Sequence, residues 1–321
     1  MIKAIILFAI GLVMLIKGGD WFVDGATGIA HSFQVPELLI GATVVSIGTT
    51  LPEVMVSATS AVSGHGEIAY GNAIGSIICN TALIAALTIA IKPSDVNRQS
   101  LKTPVLFFFF AAAFYAFVAY VFGAYSRIVG ILLLAIFIAY MFILIKSAMK
   151  QDSDPNPKND DIDTSPLWKE LLPLVIGAAA IAIGADLLVD NGTIIAEGLG
   201  VPESVIALTF VALGTSLPEL VTAITSLVKG HGALSLGNII GANLFNLVLV
   251  SGLSITLNPF GLPTEKTIAG MNASLLVDVP LMFIVMLIMT VPALVKGRLS
   301  RWQGILLLCL YAAFVTFQFI G

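Results

Sequence analysis

Apolar stretches of about 20 residues follow one another along the whole 321-residue chain, and no other feature limits its folding as strongly. An α-helix needs about 20 apolar residues to cross a hydrocarbon layer about 30 Å thick. Hydrophobic residues make up 58% of the chain and charged residues only 11%, a balance that excludes a soluble globular domain of this length. The sequence therefore predicts an all-α membrane protein in a lipid bilayer.

Hydropathy divides the chain into ten predicted transmembrane helices. Their expected ranges are 4–28, 36–63, 67–91, 103–122, 127–149, 167–197, 203–229, 233–258, 268–295 and 301–320. The polar segment 151–166 contains three prolines and five aspartates and predicts a solvated linker. Residues 1–150 and 167–321 then form two halves of five helices each.

The distribution of lysine and arginine predicts the orientation in the membrane. One side is expected to hold most of them: Lys92, Arg98, Lys102, Lys146, Lys150, Lys158, Lys169, Lys229, Lys296, Arg298 and Arg301. The other side is expected to hold Lys3, Arg127 and Lys266. By the positive-inside rule, the linker is cytoplasmic and both chain termini lie outside. Because each half contains an odd number of spans, the two halves are predicted to be inverted repeats.

An internal repeat supports this division. A shift of 166 residues aligns residues 11–87 with 177–253 without a gap, and 32 of the 77 paired positions are identical. The identities include Asp20 and Asp186, Asp24 and Asp190, Pro36 and Pro202, Thr49 and Thr215, Pro52 and Pro218, Glu53 and Glu219, His65 and His231, Asn72 and Asn238, and Asn80 and Asn246. Shared folding constraints explain the repeated prolines, but they do not explain two glutamates within apolar spans.

Each of these glutamates directly follows a proline, in SIGTTLPE ending at Glu53 and in ALGTSLPE ending at Glu219. A proline inside a helix leaves carbonyl oxygens of the preceding turn without a hydrogen-bond donor. Hydroxyl groups lie beside these carbonyls, on Thr49, Thr50, Thr215 and Ser216. Because hard cations prefer oxygen ligands, both motifs indicate a cation site.

The depth of the glutamates in the bilayer follows from their spacing. Each precedes a Gly-His-Gly turn by 12 residues, which is about 18 Å of helix. Since the two turns lie on opposite membrane faces, Glu53 and Glu219 are expected to meet near the midplane, whereas His65 and His231 cannot share a metal site. An ionised carboxylate at that depth costs several kcal/mol unless it is paired. We expect the partner to be a divalent ion, protons or monovalent ions from solution.

Spans 3 and 8 add the motifs GNAIGSIICN, at 71–80, and GNIIGANLFN, at 237–246. Glycines four residues apart allow close helix packing, and the asparagine side chains supply neutral oxygens. We therefore expect these motifs to complete the cage around the ion. Two pairs of aspartates are interpreted instead as solvated helix ends, Asp20 with Asp24 and Asp186 with Asp190.

These motifs resemble those of the calcium/cation antiporter superfamily, especially its prokaryotic sodium/calcium exchanger branch, over essentially the full chain. The resemblance implies ten helices and alternating access by movement of helices one and six past a fixed core. It also implies ion ligands at the matching positions. These are Glu53 and Glu219 on calcium, the carbonyls of Thr49 and Thr215, and Ser46, Thr50, Ser216, Ser76, Asn80 and Asn246 around sodium or water positions.

Two positions depart from the family pattern. Asn246 stands where well-studied sodium/calcium exchangers have an aspartate, and Ala242 stands where a serine is expected. The pocket then holds two formal negative charges and one fewer hydroxyl. The affinity for sodium and the number of sodium ions per cycle are therefore left open.

The leading hypothesis is sodium-driven calcium antiport, with both ions competing for the two glutamates. Proton/calcium exchange on the same glutamates is the nearest alternative, and a cation channel is an alternative of another class. An enzyme is not expected, because no nucleophile, His/Cys cluster or phosphate-binding loop accompanies the carboxylates. The small net charge of −4 does not indicate nucleic-acid binding, and the sequence implies neither a cofactor nor an obligatory protein partner.

Overall fold

The computed structural model describes residues 2–33, 35–151, 167–198, 214–264 and 267–320. These residues form ten helices and four two-residue strands, β1 Ala124–Tyr125, β2 Phe260–Gly261, β3 Thr267–Ile268 and β4 Met271–Asn272. The helices are α1 Ile2–Ser32, α2 Glu37–Val62, α3 Gly66–Ile91, α4 Arg98–Phe122, α5 Arg127–Gln151, α6 Trp168–Gly198, α7 Leu217–Lys229, α8 Gly232–Leu257, α9 Ser274–Lys296 and α10 Arg301–Ile320. The predicted linker, apart from Gln151, lies outside the described residues.

Eight helices, α1 to α6, α8 and α9, are long and apolar enough to cross a membrane. Many of their large apolar side chains point away from the protein, including Phe110 on α4 and Phe142 on α5. Contact between so large an apolar surface and water is unfavourable, whereas contact with lipid is not. The chain is therefore a multi-pass membrane protein.

Several helix ends differ from the prediction: α1 extends to Ser32 and not 28, α4 begins at Arg98 and not 103, and α9 differs most. The expected span 268–295 is wrong at its start, because α9 begins only at Ser274. Two strands precede it, β3 Thr267–Ile268 and β4 Met271–Asn272, joined through a turn at Ala269 and Gly270 with φ of 50° and 82°. Apolar residues in this hairpin extend the hydropathy signal beyond the helix.

The seventh span, expected at 203–229, is described only from residue 214. Helix α7 begins at Leu217, with Ser216 at its N-cap position. Pro218 therefore stands in the first turn of the helix, where a missing backbone N–H costs little. The first half differs, because α2 continues through Pro52 in its interior.

Four helices contain π-helical segments, which widen the helix locally and often accompany functional sites. The segments are Gly41–Val45 in α2, Asn80–Ala85 in α3, Asn246–Val250 in α8 and Ser274–Asp278 in α9. Those in α3 and α8 begin at equivalent positions of the repeat, 166 residues apart. In each case, the first residue is the final asparagine of the glycine-asparagine motif.

Glycines bring α1 and α6 into direct contact. A Cβ atom added at Gly11 would lie 2.8 Å from the carbonyl oxygen of Gly184, and one added at Gly18 would lie 3.0 Å from that of Gly177. Helix α8 packs closely on α2 in the same way, with Gly241 against Ala42. The contact between α2 and α8 places the motifs of the two halves side by side.

Candidate ion-binding site

The carboxyl groups of Glu53 on α2 and Glu219 on α7 are wholly buried. They lie close enough to repel one another when both are ionised. Among the described residues, none of their four oxygens has a hydrogen-bond partner, and no lysine, arginine or histidine forms a salt bridge with either. Because unpaired buried charges cost several kcal/mol, this pair can bind positive charge.

Hydroxyl groups lie beside the Glu219 carboxylate. Thr49 and Thr50 of α2 are buried and face the carboxylate of Glu219, although its oxygens make no hydrogen bond of ordinary distance and angle. Ser216, at the start of α7, is also buried, and its hydroxyl has no partner in the described part of the chain. It lies beside Cys79, which is within electrostatic range of both glutamates. Neutral oxygens are thus available from both halves.

Backbone geometry adds a further oxygen in the first half. Pro52 has no N–H to donate to the carbonyl of Gly48, one turn earlier in α2. The prediction that an interior proline leaves a carbonyl oxygen without a hydrogen-bond donor therefore applies to α2. In the described part of the second half, Pro218 is too close to the start of α7 to interrupt a preceding helical turn.

The asparagines of the two glycine-asparagine motifs connect the halves. The amide nitrogen of Asn72 donates to the Glu53 carbonyl oxygen at 3.3 Å and to Ser57 Oγ at 2.8 Å, while its Oδ1 accepts from Thr215 at 3.3 Å. In the opposite sense, Asn238 Oδ1 accepts from Thr49 at 3.1 Å. The two amides therefore hold both prolyl-glutamate segments in place.

Asn80 and Asn246 occupy equivalent places in the two halves. Both side chains are fully buried, and neither the oxygen nor the nitrogen of either amide has a hydrogen-bond partner among the described residues. Buried amides are normally hydrogen-bonded. Their free oxygens at the π-helical segments are suited to ligate a cation.

The two predicted serine ligands differ in their surroundings. Ser46 Oγ lies in the interface of α2 and α8, 2.7 Å from the Gly41 carbonyl oxygen, 2.9 Å from the Asn238 carbonyl oxygen and 3.3 Å from Asn238 Oδ1. These three acceptors share its single hydrogen, and a lone pair remains for an ion. Ser76 is buried on α3, four residues before Asn80.

The histidines lie in separate turns and share no site, as expected. His65 is exposed and precedes α3, whereas His231 Nδ1 lies 2.8 Å from Glu37 Oε1 at the start of α2. No cluster of three His, Cys, Asp or Glu side chains occurs in the described residues.

Asn72 and Asn238 were not among the expected ligands, although each lies in one of the two glycine-asparagine motifs. Their exact spacing of 166 residues, together with that of Thr49 and Thr215, was the available signal. Asn243, which donates to Thr81 Oγ1 at 2.7 Å, has no such signal because Ile77 occupies its equivalent position.

Comparison with known proteins shows the family to which the chain belongs. The profile of the family described as "Sodium/calcium exchanger protein" matches residues 3–146 and 169–320. An uncharacterized membrane protein of Methanocaldococcus jannaschii is 35% identical over 95% of this chain and 94% of its own length. The sodium/calcium exchanger MaX1 of Methanosarcina acetivorans is 33% identical over 98% of each chain. A solved structure of the sodium-calcium exchanger NCX_Mj, soaked with sodium, has a TM-score of 0.80 at 34% identity over 98% of both chains. The chain belongs to the sodium/calcium exchanger protein family.

Proposed function

We propose that this chain is a secondary active antiporter that exchanges calcium for sodium by alternating access. Glu53 and Glu219 bind the calcium ion, and sodium competes for the same carboxylates. The neutral oxygens of Thr49, Thr50, Thr215, Ser216, Ser46, Ser76, Asn80 and Asn246 complete the calcium and sodium positions. The observation that carries this proposal is the burial of two adjacent carboxylates with no lysine, arginine or histidine paired to them in the described part of the chain.

The charge balance favours an exchanged cation over a permanent one. A divalent ion neutralises both carboxylates at once, and two monovalent ions can replace it. The site is then never left with two uncompensated charges when one ion displaces the other. Since emptying it costs several kcal/mol, replacement is favoured over simple release, which argues for antiport and against a channel.

We further propose ten transmembrane helices arranged as two inverted repeats, 1–150 and 167–321, joined by a cytoplasmic linker at 151–166. Both termini then lie outside. The reciprocal bonds from Thr49 to Asn238 and from Thr215 to Asn72 support a two-fold relationship between the halves. Inverted repeats allow a central site to be exposed alternately to the two sides.

The relatives support calcium and sodium as substrates. The names of MaX1 and NCX_Mj identify them as sodium/calcium exchangers, and solved structures of NCX_Mj were obtained with sodium, calcium or strontium. A further relative from Alkalimonas amylolytica, 33% identical over the whole chain, is named a putative antiporter. Protons remain the alternative coupling ion, since both carboxylates can be neutralised by protonation.

Calcium flux into proteoliposomes tests the proposal. The purified chain is reconstituted with a sodium gradient, with a pH gradient of equal driving force, or with neither, and calcium-45 uptake is followed. We expect uptake under the sodium gradient that is abolished when sodium is equal on both sides. Liposomes without protein provide the background.

Each alternative gives a different pattern. Uptake driven only by the pH gradient would replace sodium by protons as the coupling ion. Uptake that is insensitive to any cation on the opposite side would indicate a channel and contradict antiport. Absence of uptake under all conditions, with a correctly folded protein, would contradict calcium as the substrate.

A further inference from the structure

Near one end of the molecule, α1 packs directly against α7. Gly19 of α1 lies opposite Val221 and Thr225, and a Cβ atom added at Gly19 would lie 2.8 Å from the nearest side-chain atom of each. The missing side chain allows the helices to touch. We refer to this arrangement of Gly19, Val221 and Thr225 as the closed contact.

The equivalent surfaces of the other half are apart. The 166-residue shift converts Gly19 into Ala185 on α6 and Val221 into Met55 on α2. Both Ala185 and Met55 line a cavity of about 850 Å³ between α6 and α2. Pro52 also lines this cavity, next to Glu53 in sequence. The molecule is thus closed between α1 and α7 and open between α6 and α2.

A network of ion pairs fastens the closed contact. Lys229, the last residue of α7, places its Nζ 2.7 Å from Asp24 Oδ1 and 3.6 Å from Asp20 Oδ1 on α1. The same nitrogen donates to the Asp20 carbonyl oxygen at 3.0 Å. Lys17 lies 3.9 Å from Asp20, but it belongs to α1 itself. The interpretation of Asp20 and Asp24 as solvated helix ends is therefore incomplete, since they bind a lysine of another helix.

The open side has no lysine at the corresponding position. Ser63 is the equivalent of Lys229, while Asp186 and Asp190, the equivalents of Asp20 and Asp24, line the cavity. Partly exposed ion pairs shift a conformational equilibrium by up to about fivefold. A difference of this size between two otherwise similar halves is enough to favour one of two related arrangements.

We infer that Lys229 is a positioning residue that biases the protein toward the arrangement closed at α1 and α7 and open beside Asp186 and Asp190. The inference rests on the proposed alternating access, in which the opposite arrangement must also form. Lys229 must release Asp24 for α1 to separate from α7. From the predicted orientation, the closed contact lies toward the cytoplasm, so the resting site faces outward.

Labelling of a cysteine in the cavity tests this inference. Val189→Cys places a thiol on α6 among the cavity-lining residues, in a Cys309→Ser background that removes the exposed native cysteine. The rate of reaction with a charged maleimide is measured in nanodiscs, where both faces are accessible. Because the labelling rate follows the fraction of molecules in the open arrangement, Lys229→Ser is expected to slow labelling by up to about threefold, and Lys229→Arg to preserve the rate. Adding Ser63→Lys to Lys229→Ser moves the lysine to the other half and is expected to slow it further.

Lys17→Ser is the matched control, because it removes a lysine from the same network without breaking the link between helices. Its labelling rate is expected to equal that of the parent. An unchanged rate in Lys229→Ser, or equal slowing in Lys17→Ser, would overturn the inference. Labelling requires no transport, so calcium flux in the same variants tests the proposed function separately. Normal exchange with unchanged labelling refutes only the role of Lys229, and slowed labelling without exchange refutes only the proposed function.

Discussion

The hydroxyl of Thr49 donates a hydrogen bond of 3.1 Å to Asn238 Oδ1 and so joins α2 of the first half to α8 of the second. Thr215 and Asn72 make the reciprocal bond at 3.3 Å. The 166-residue shift converts one bond into the other. Each of the two segments that carry the glutamates is therefore hydrogen-bonded to an asparagine of the opposite half.

Removal of these cross-links should destabilise the protein. Thr49→Val deletes the donor and leaves the buried Asn238 oxygen with the weaker contact from Ser46 at 3.3 Å, which costs about 1–3 kcal/mol. We expect the midpoint of thermal unfolding in detergent to fall by several degrees. Because Asn238→Ala removes the same bond, the double variant should lose less than the sum of the two single changes.

Thr316→Val provides the control for this experiment, because Thr316 is exposed and its hydroxyl donates within its own helix, to the Ala312 carbonyl. Its unfolding midpoint should stay close to that of the wild type. Additive effects of Thr49→Val and Asn238→Ala would show that the two side chains do not interact.

A third carboxylate should strengthen the binding of cations. Asn246 is buried and its amide oxygen has no partner in the described residues, so Asn246→Asp adds a charge beside the ion without removing a hydrogen bond seen there. We expect the sodium concentration that half-inhibits calcium uptake to change by at least about tenfold, since a charge is worth several kcal/mol at buried sites. The assay is calcium-45 uptake at varied sodium.

The matched control for that variant is Asn97→Asp, at the exposed N-cap of α4, where aspartate caps as well as asparagine does. Its sodium dependence should match that of the wild type. An Asn246→Asp protein with wild-type sodium dependence would place residue 246 outside the site.

The contact between α1 and α6 should not tolerate side chains at its glycines. A Cβ atom at Gly177 would lie 2.5 Å from Phe22 N and 2.7 Å from the Gly18 carbonyl, both backbone atoms that cannot move alone. We expect Gly177→Ala to destabilise the protein by about 1–3 kcal/mol. Gly232→Ala, with nothing within 4 Å of the added Cβ among the described residues, should be neutral. Equal melting temperatures for both variants would contradict the close contact.

Much of the fold follows from the sequence because lipid imposes simple requirements. A helix must be about 20 apolar residues long to cross the bilayer, and the predicted starts and ends of α2, α3 and α8 lie within one residue of those observed. The predicted start of α9 at residue 268 is wrong, because a hydrogen bond determines where this helix begins. Ser274 N donates to Asn272 Oδ1 at 2.9 Å and the helix begins there, which hydropathy does not detect.

The site was less completely predictable. The burial of Glu53 and Glu219 was predictable from the repeated motif, because α2 has no lysine or arginine and α7 has one only at its last residue, Lys229. The 166-residue repeat marks Asn72 and Asn238, but their hydrogen-bond partners depend on which helices cross, and the sequence pattern does not contain that information. The link from Lys229 to Asp24 spans 205 residues and joins unequal positions of the repeat. The internal repeat in the sequence therefore did not indicate this ion pair.

Calcium titration of the purified protein in sodium-free buffer, followed by isothermal calorimetry, is the most direct test of the shared glutamate site. We expect one calcium ion per chain and an apparent Kd that rises as sodium is added. In the double variant Glu53→Gln and Glu219→Gln, calcium affinity should be weakened by at least about 100-fold, since each lost charge partner costs several kcal/mol. Glu67→Gln, which neutralises an exposed carboxylate, should bind as the wild type does. Undiminished calcium binding and exchange in the double variant would contradict the account.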